Sequence, residues 1–498
     1  MLRKVRIILA CIFFIGITWL FLDFTGTAHQ VFGWMPKLQL LPALLAINVV
    51  VVALLLVLTL VFGRIYCSVI CPLGVFQDLA ARIGRIGKRN PYNFSKAKNW
   101  LRYSVLAIFV VALVFGISSL VALLAPYSSY GRIASNLFQP VFLWGNNLLA
   151  SVAEHFDSFM FYHTDVWLRS LPTFIIAVAT FVIIGLLAWR NGRTYCNTIC
   201  PVGTLLGFFS RFSCLKIRFD ETKCRKCSKC SKNCKAACID YKTMKVDYSR
   251  CVTCGNCIKE CSFGALKYGL AKGHKSVVTA KETESQDTPD LGKRRFIIGT
   301  SVVAATSALA QTTERVNGGL AKIEDKKPTK RTTPITPPGS QSQANWTKHC
   351  TGCQLCVAEC PNGVLRPSTS LLHLMQPVVS YERGYCRPEC NRCSEVCPTG
   401  AIKLLDLPTK SSTQIGHAVW VKENCLPLTD GVECGNCERH CPTGAIEMVP
   451  YELNDDEVAF VPAVDASRCI GCGACENLCP VRPFSAIYVE GHEAHKTI

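Results

Sequence analysis

"CTGCQLCVAECP" runs from Cys350 to Pro361. Three cysteines spaced C-x2-C-x2-C, a fourth three residues on and a proline behind it form the ligand pattern of a 4Fe–4S cluster. Related runs follow at Cys386, Cys390, Cys393, Cys397; at Cys425, Cys434, Cys437, Cys441; and at Cys469, Cys472, Cys475, Cys479. Each ends in C-x3-C-P, where proline sets the chain direction and removes one N–H. Residues 346–498 are therefore expected to fold as a bacterial-ferredoxin-like α+β domain with four clusters. Eight disulfides are the rival in an oxidising compartment, but they do not call for runs. The apolar segments are short strands such as "GAIKLL" and "GAIEMV", so metal supplies much of the folding energy. The expected pairing is nested, first run with fourth and second with third, with sequential pairing as the alternative.

Working outward, two more runs precede this domain. Cys224, Cys227, Cys230, Cys234 and Cys251, Cys254, Cys257, Cys261 are both C-x2-C-x2-C-x3-C. In two-cluster ferredoxins the fourth cysteine of one run serves the other cluster. That rule groups Cys224, Cys227, Cys230 with Cys261, and Cys251, Cys254, Cys257 with Cys234, over a domain at 213–270. Cys238 competes with Cys234, and neither run ends in Cys-Pro. Zinc sites come as separated pairs rather than runs of three. Cys11 and Cys214 have no partners in sequence.

Earlier still, "GRIYCSVICPLG" (Gly63–Gly74) is repeated as "GRTYCNTICPVG" (Gly192–Gly203). Each copy follows an apolar stretch. Uncharged stretches lie at about Ile7–Leu22, Leu38–Gly63, Tyr103–Ala125 and Ser170–Trp189, against the roughly 20 residues a membrane helix needs. A cleaved signal peptide is the rival for the first, but no small-residue cleavage site follows, and Trp19 and Trp34 suit interfacial anchors. Residues 1–212 are thus expected to form a four-helix membrane bundle. Ile133–Val152, broken by Pro140 and Gly145, is expected to lie at the outer surface.

The chain has 498 residues, 49% hydrophobic, with a formal charge of +19 and 31 cysteines. The positive charge sits in loops beside apolar runs, which is a membrane topology signal and not a nucleic-acid surface. Arg3, Lys4 and Arg6 precede the first stretch. Arg64, Arg82, Arg85, Lys88, Arg89, Lys96, Lys98 and Arg102 lie between the second and third, whereas the first outer connection holds only Lys37. The N-terminus, the middle loop and 213–270 are therefore expected in the cytoplasm.

Both copies of the doubled turn then fall at the cytoplasmic ends of the second and fourth helices. Two such halves can bring Cys67, Cys71, Cys196 and Cys200 together. A C-x3-C spacing places both thiols on one helix face. The four suit a shared cluster or relay, with redox-active thiols and simple packing as alternatives. Tyr66, Tyr195, Arg64 and Arg193 flank the turns, in reach of a quinone head group or as interfacial anchors. No histidine lies in the four stretches and no C-x-x-C-H occurs, so neither b-type nor c-type haem has ligands.

Residues 271–345 read as a linker. Within it "KRRFIIGTSVVAATSALA" (Lys293–Ala310) is similar to a twin-arginine export signal, a short fifth membrane segment at 293–311. "KKPTKRTTPITPPGSQSQ" (326–343) is expected to be too polar and Pro-rich to fold.

On these motifs, residues 1–270 resemble the NapH-type membrane component of quinol dehydrogenases. Such components have four helices, two C-x3-C-P motifs and two ferredoxin runs, and related modules occur in NosR-like and CcoG-like proteins. Residues 293–498 resemble the NapG-type exported ferredoxin. The resemblance implies an inner-membrane protein that takes electrons from (mena)quinol and passes them to a periplasmic reductase or cytochrome. It implies six clusters, two cytoplasmic and four periplasmic, and a seventh metal site at Cys67, Cys71, Cys196 and Cys200. The fusion and the missing prolines after Cys234 and Cys261 are departures. An assembly factor that reduces or delivers a metal for a partner enzyme is the alternative function, and a redox sensor a third.

Overall fold

The computed structural model describes residues 2–86, 92–270, 324–454 and 457–498. The twin-arginine-like segment 293–311 lies outside them. Met1–Leu270 and Lys326–Ile498 together form one compact unit.

The helical half differs from four uninterrupted spans. Among the described residues two helices, at Leu2–Leu22 and Leu171–Asn191, are long and apolar enough to cross a bilayer, and both leave most of that surface facing outward. Leu38–Gly63 divides into Leu40–Leu45 and Val49–Phe62. Ile47 takes a left-handed φ of 54°, and the Asn48 side chain accepts from the Val51 N–H at 3.2 Å, capping a new start. Tyr103–Ala125 divides likewise into Asn99–Val114 and Ser118–Leu124, at Gly116 with φ 71°. A 14-residue helix such as Val49–Phe62 is about 21 Å long, short of the roughly 30 Å hydrocarbon layer.

Ile133–Val152 is buried at its start and exposed along its later part, where Val141, Trp144, Leu148, Leu149 and Val152 are each at least half exposed. Pro126–Ile133 is buried at every residue and runs through a π-helical turn, Ala134–Phe138, into a helix at Gln139–His155. Pro140 follows the π turn directly, and its missing N–H leaves one gap in the hydrogen-bond ladder there.

At 213–270, Leu215–Phe219 pairs antiparallel with Leu266–Leu270, and Ile239–Asp240 with Lys245–Val246. This small domain sits where the Val49–Phe62 and Leu171–Asn191 helices end. The Cys214 N–H donates to Leu60 O at 2.7 Å, Thr253 Oγ1 to Phe62 O at 3.1 Å and the Arg193 N–H to Lys235 O at 2.9 Å.

The C-terminal domain begins earlier than expected, because 326–343 is ordered against it. Residues 335–340 are buried; Arg331 Nε donates to Val489 O at 2.7 Å and Lys403 N–H to Gly339 O at 2.9 Å. Proline-fixed φ angles lower the cost of ordering the segment, and its backbone groups find partners in the domain. Gly339 also occupies the place beside 400–405, so "GAIKLL" forms no strand. "GAIEMV" does open a strand, Ile446–Asn454, paired with Glu457–Val464; Thr413–Trp420 pairs with Ile487–Thr497.

This domain meets the other end of the helices. Arg392 donates to Thr25 O at 2.7 Å, just past the first helix, and Ser118 Oγ to Leu372 O at 3.1 Å. Gln354 Oε1 accepts from Ser135 Oγ at 3.0 Å and Asn136 Nδ2 at 2.8 Å, and Gln139 Nε2 donates to Ala358 O at 3.2 Å. A Cβ on Gly131 would stand 2.3 Å from Cys353 O. The buried π turn is thus the seat of the first cysteine run.

Candidate metal centres

Four runs share one local device. In each, the residues on either side of the middle cysteine have left-handed φ: Lys226 and Ser228, Thr253 and Gly255, Gly352 and Gln354, Gly471 and Gly473. Successive turns of this kind point backbone N–H groups inward, toward an anionic centre. Only glycine adopts them freely, so Thr253 at φ 49° carries strain placed at a site. Further N–H groups reach the last thiol of several runs: Ala265 to Cys261 Sγ at 3.3 Å, Ile402 to Cys397 at 3.4 Å and Ala445 to Cys441 at 3.2 Å.

The ligand thiols of 213–270 fall into two sets. Cys224, Cys227, Cys230 and Cys261 line one hollow. Cys251, Cys254 and Cys257 gather with Cys234. Cys238 is buried beside that second set, 3.5 Å from Cys234 Sγ and hydrogen-bonded to Cys251. Burial and neighbouring thiols push Cys257 well above the ordinary thiol range, a charge problem that a metal relieves.

In the C-terminal domain the nested pairing is overturned. Cys350, Cys353 and Cys356 lie with Cys397. Cys386, Cys390 and Cys393 lie with Cys360. Cys425, Cys434 and Cys437 lie with Cys479, and Cys469, Cys472 and Cys475 with Cys441. First pairs with second and third with fourth, because each adjacent couple closes its own small two-fold unit.

The doubled turn also differs from the expected single helix face. Helix Tyr66–Val69 stops short, and Cys71 caps the next helix, Pro72–Ile83. Pro72 and Pro201 force the break, since the residue before proline avoids the helical region. The N–H groups of residues 70 and 71 both donate to Tyr66 O, and those of 199 and 200 to Tyr195 O, at 3.0 Å. The two turns then cross. Arg193 donates to Cys67 O at 2.6 Å, and Arg64 to Cys196 O at 3.2 Å. Gly74 and Gly203 allow the close approach: a Cβ there would lie 2.2 and 2.4 Å from those same carbonyls. Gly63 and Gly192 end the preceding helices at φ 77° and 73°.

This crossing brings Cys67, Cys71, Cys196 and Cys200 together, each 3% exposed. Burial, then the charge of Cys196, pushes Cys71 and Cys200 above the ordinary thiol range. Arg64 reaches Cys67 Sγ at 3.8 Å, Gln77 donates to Cys196 Sγ at 3.3 Å and the Gly203 N–H to Cys200 Sγ at 3.3 Å. The four therefore have donors for negative sulfur and no access to solvent.

Tyr66, Tyr195, Arg64 and Arg193 are not interfacial anchors. They are 1, 7, 0 and 0% exposed. Tyr66 OH donates to Gln39 Oε1 at 2.9 Å and Tyr195 OH to Leu124 O at 3.3 Å. The sequence missed Asp78, which the Arg6, Arg193 and Lys235 side chains surround. Burial alone would raise its carboxyl, but Arg193, Lys235 and Arg6 outweigh it and hold it far below the usual carboxylate range. Its position in the second copy is Gly207, beside Arg102 and Ser249, so repeat matching could not flag it.

The donor chemistry fits clusters. Among the described residues no His, Cys, Asp or Glu group converges on a single-ion site. A zinc ion with sulfurs at about 2.3 Å would draw thiols to within about 4 Å of one another; a four-iron cube spreads them wider. Twenty-eight of the 31 cysteines stand in seven sets of four, which defines a polyferredoxin.

Comparison with known proteins agrees. A 4Fe–4S dicluster domain family matches residues 349–401 and 432–482, a boundary that follows the observed pairing. A 4Fe–4S binding domain matches 244–267, and another matches 44–91 and 171–219, which hold the doubled turn. The methylamine utilization ferredoxin-type protein MauM of Methylophilus methylotrophus is 33% identical over 32% of this chain and 71% of its own length. The ferredoxin-type protein NapG of Escherichia coli is 30% identical over 38% of this chain and 82% of its own. NapF of the same organism is 26% identical over 32% and 87%. No solved structure matches the chain. The chain belongs to the family of NapG- and MauM-type ferredoxin proteins, as a NapG/NapH-like iron–sulfur electron-transfer protein.

Proposed function

We propose that this protein oxidises a quinol of the menaquinol class at a membrane and delivers the electrons to a periplasmic reductase or cytochrome. One observation carries the reading: the seven thiol sets form an unbroken series. The Cys224 set adjoins the Cys251 set through Cys230 and Cys257. Arg64 stands between Cys251 and Cys67. Tyr195 adjoins Cys196 and Cys200, and Arg132 lies between Tyr195 and Cys353. Cys356 adjoins Cys393, Cys386 adjoins Cys472, and Cys475 adjoins Cys437.

Six 4Fe–4S clusters would be held by the 24 ferredoxin cysteines and a seventh by the turn thiols, as the family match at 44–91 and 171–219 supports. Bound clusters supply one-electron carriers whose potentials depend on charge, hydrogen bonds and exposure. The chain's own residues bury the turn thiols, donate N–H groups to sulfur and keep water from the centre of the series.

The proposed division is a membrane domain at 1–212, a cytoplasmic ferredoxin domain at 213–270, a linker, and a periplasmic domain from Lys326 onward. Outward apolar side chains support the membrane setting, among them Val50, Leu54, Ile108, Val114, Ile175 and Leu186, each at least half exposed. Middle-loop charge supports the orientation. The assembly-factor alternative needs turn thiols that a partner can reach, and their burial disfavours it.

The test is anaerobic reduction of the full-length protein in detergent by a menaquinol analogue. Bleaching of cluster absorbance that Cys67→Ser abolishes is the expected result. Iron should then fall from about 28 to about 24 atoms per chain, four per set. No bleaching by quinol, with full bleaching by a low-potential reductant, would overturn the proposal.

A further inference from the structure

The far end of the inner ferredoxin domain differs from every other thiol site. Of the 28 thiols in sets, Cys227 alone is exposed. Around it, residues 221–232 carry five basic side chains, Lys223, Arg225, Lys226, Lys229 and Lys232, all exposed, against the single acid Glu221. Few of these charges are spent internally. Lys229 Nζ reaches only the Ser262 hydroxyl, at 3.3 Å, and Arg225 lies 4.8 Å over the Phe263 ring. Phe263 itself is 39% exposed and lines the same hollow as the four thiols.

We infer that this face is a docking surface for a small acidic one-electron carrier protein of the ferredoxin or flavodoxin kind. An exposed ligand thiol brings the centre to the protein edge. A basic ring round an apolar spot steers and seats a partner of opposite charge. Anionic lipid is the competing occupant. It is disfavoured because the neighbouring Cys251 set, not this one, faces the helices, through Arg64, Ser249 and Thr253. The opposite end of the series has the reverse sign: Glu423, Asp430, Glu433 and Glu438 are exposed near Cys434, against Lys422 and Arg439. An acidic carrier therefore discriminates between the two ends by charge.

The inference rests on reading the Cys224 set as an electron-carrying site. It does not depend on quinol, and its test uses none. Binding of a plant-type acidic 2Fe–2S ferredoxin to the oxidised full-length protein in detergent would be measured by titration calorimetry or surface resonance. The expected Kd weakens about tenfold or more from low to physiological salt. The double variant Lys223→Glu/Lys232→Glu should weaken binding by about tenfold or more with iron content unchanged, whereas Glu433→Lys/Glu438→Lys leaves it unaltered. No binding at low salt would overturn the inference. So would a Kd indifferent to Lys223 and Lys232, or a double variant that loses phosphatidylglycerol vesicles while keeping the ferredoxin.

Discussion

Arg193 and Asp78 show how much depends on one ion pair. Asp78 neutralises part of a buried cluster contributed by the first helix, the second turn and the inner ferredoxin domain. Asp78→Asn would leave three cations facing one another out of water, at a cost of about 3 kcal/mol or more. A lowered melting temperature in detergent and faster proteolysis of 213–270 would be the readout. Glycines separate in the same way. Gly192→Ala demands φ 73° of a side chain and puts Cβ 2.3 Å from Lys235 O, so it should cost more than 1 kcal/mol, whereas Gly145→Ala, with open space around it inside a helix, should stabilise slightly. Cys238 invites a third comparison. Its sulfur lies beside Cys234, so Cys234→Ser should cost the inner domain less iron than Cys254→Ser; equal losses would remove Cys238 as a substitute. At this scale the ligand thiols were legible, because cluster ligation imposes short spacings. The roles of Arg64 and Arg193 were not, since each reaches a carbonyl more than a hundred residues away.

Helix interruptions mattered more than helix lengths. The π turn at Ala134–Phe138 presents Ser135 and Asn136 to Gln354, and π turns often mark functional contacts. Gln354→Ala would leave the Ser135 hydroxyl without its acceptor, at about 1–3 kcal/mol, while Asn136 keeps Arg132 O at 2.9 Å, and should expose the C-terminal domain to proteolysis. Hydropathy alone could not locate these breaks: Ile47 and Asn48 sit inside a run whose composition reads as continuous. The Pro-rich 326–343 was misread for the converse reason. Its own residues bury little, and order comes from a surface distant in sequence. That surface includes His495, which burial and then His492 hold down to about 4, with Nε2 3.0 Å from Thr336 Oγ1. An unfolded histidine titrates near 6.5. The folded state thus disfavours the proton, and stability present above about pH 6.5 falls as pH drops toward 4. Acid melts of wild type and His495→Gln should diverge across that window; parallel curves would count against the contact.

On the scale of the whole molecule, one chain holds two ferredoxin domains to opposite ends of the same helices. Between the turn thiols and the first C-terminal run stand Tyr195 and Arg132, which the doubled turn and Pro126–Ile133 carry. The four-cysteine runs were readable from their spacing, but which runs adjoin was not, since it depends on how the C-terminal domain seats on the helices.

The crossed arginines bear on ancestry. Each copy of the turn is completed by the guanidinium of the other, so a half-length chain would finish its own turn only by pairing with a second copy of itself. The two copies thus stand to each other as the halves of a homodimer would. A chain cut within 157–169, between the copies, should reassemble from two separately translated pieces, and neither piece alone should retain the four-thiol centre.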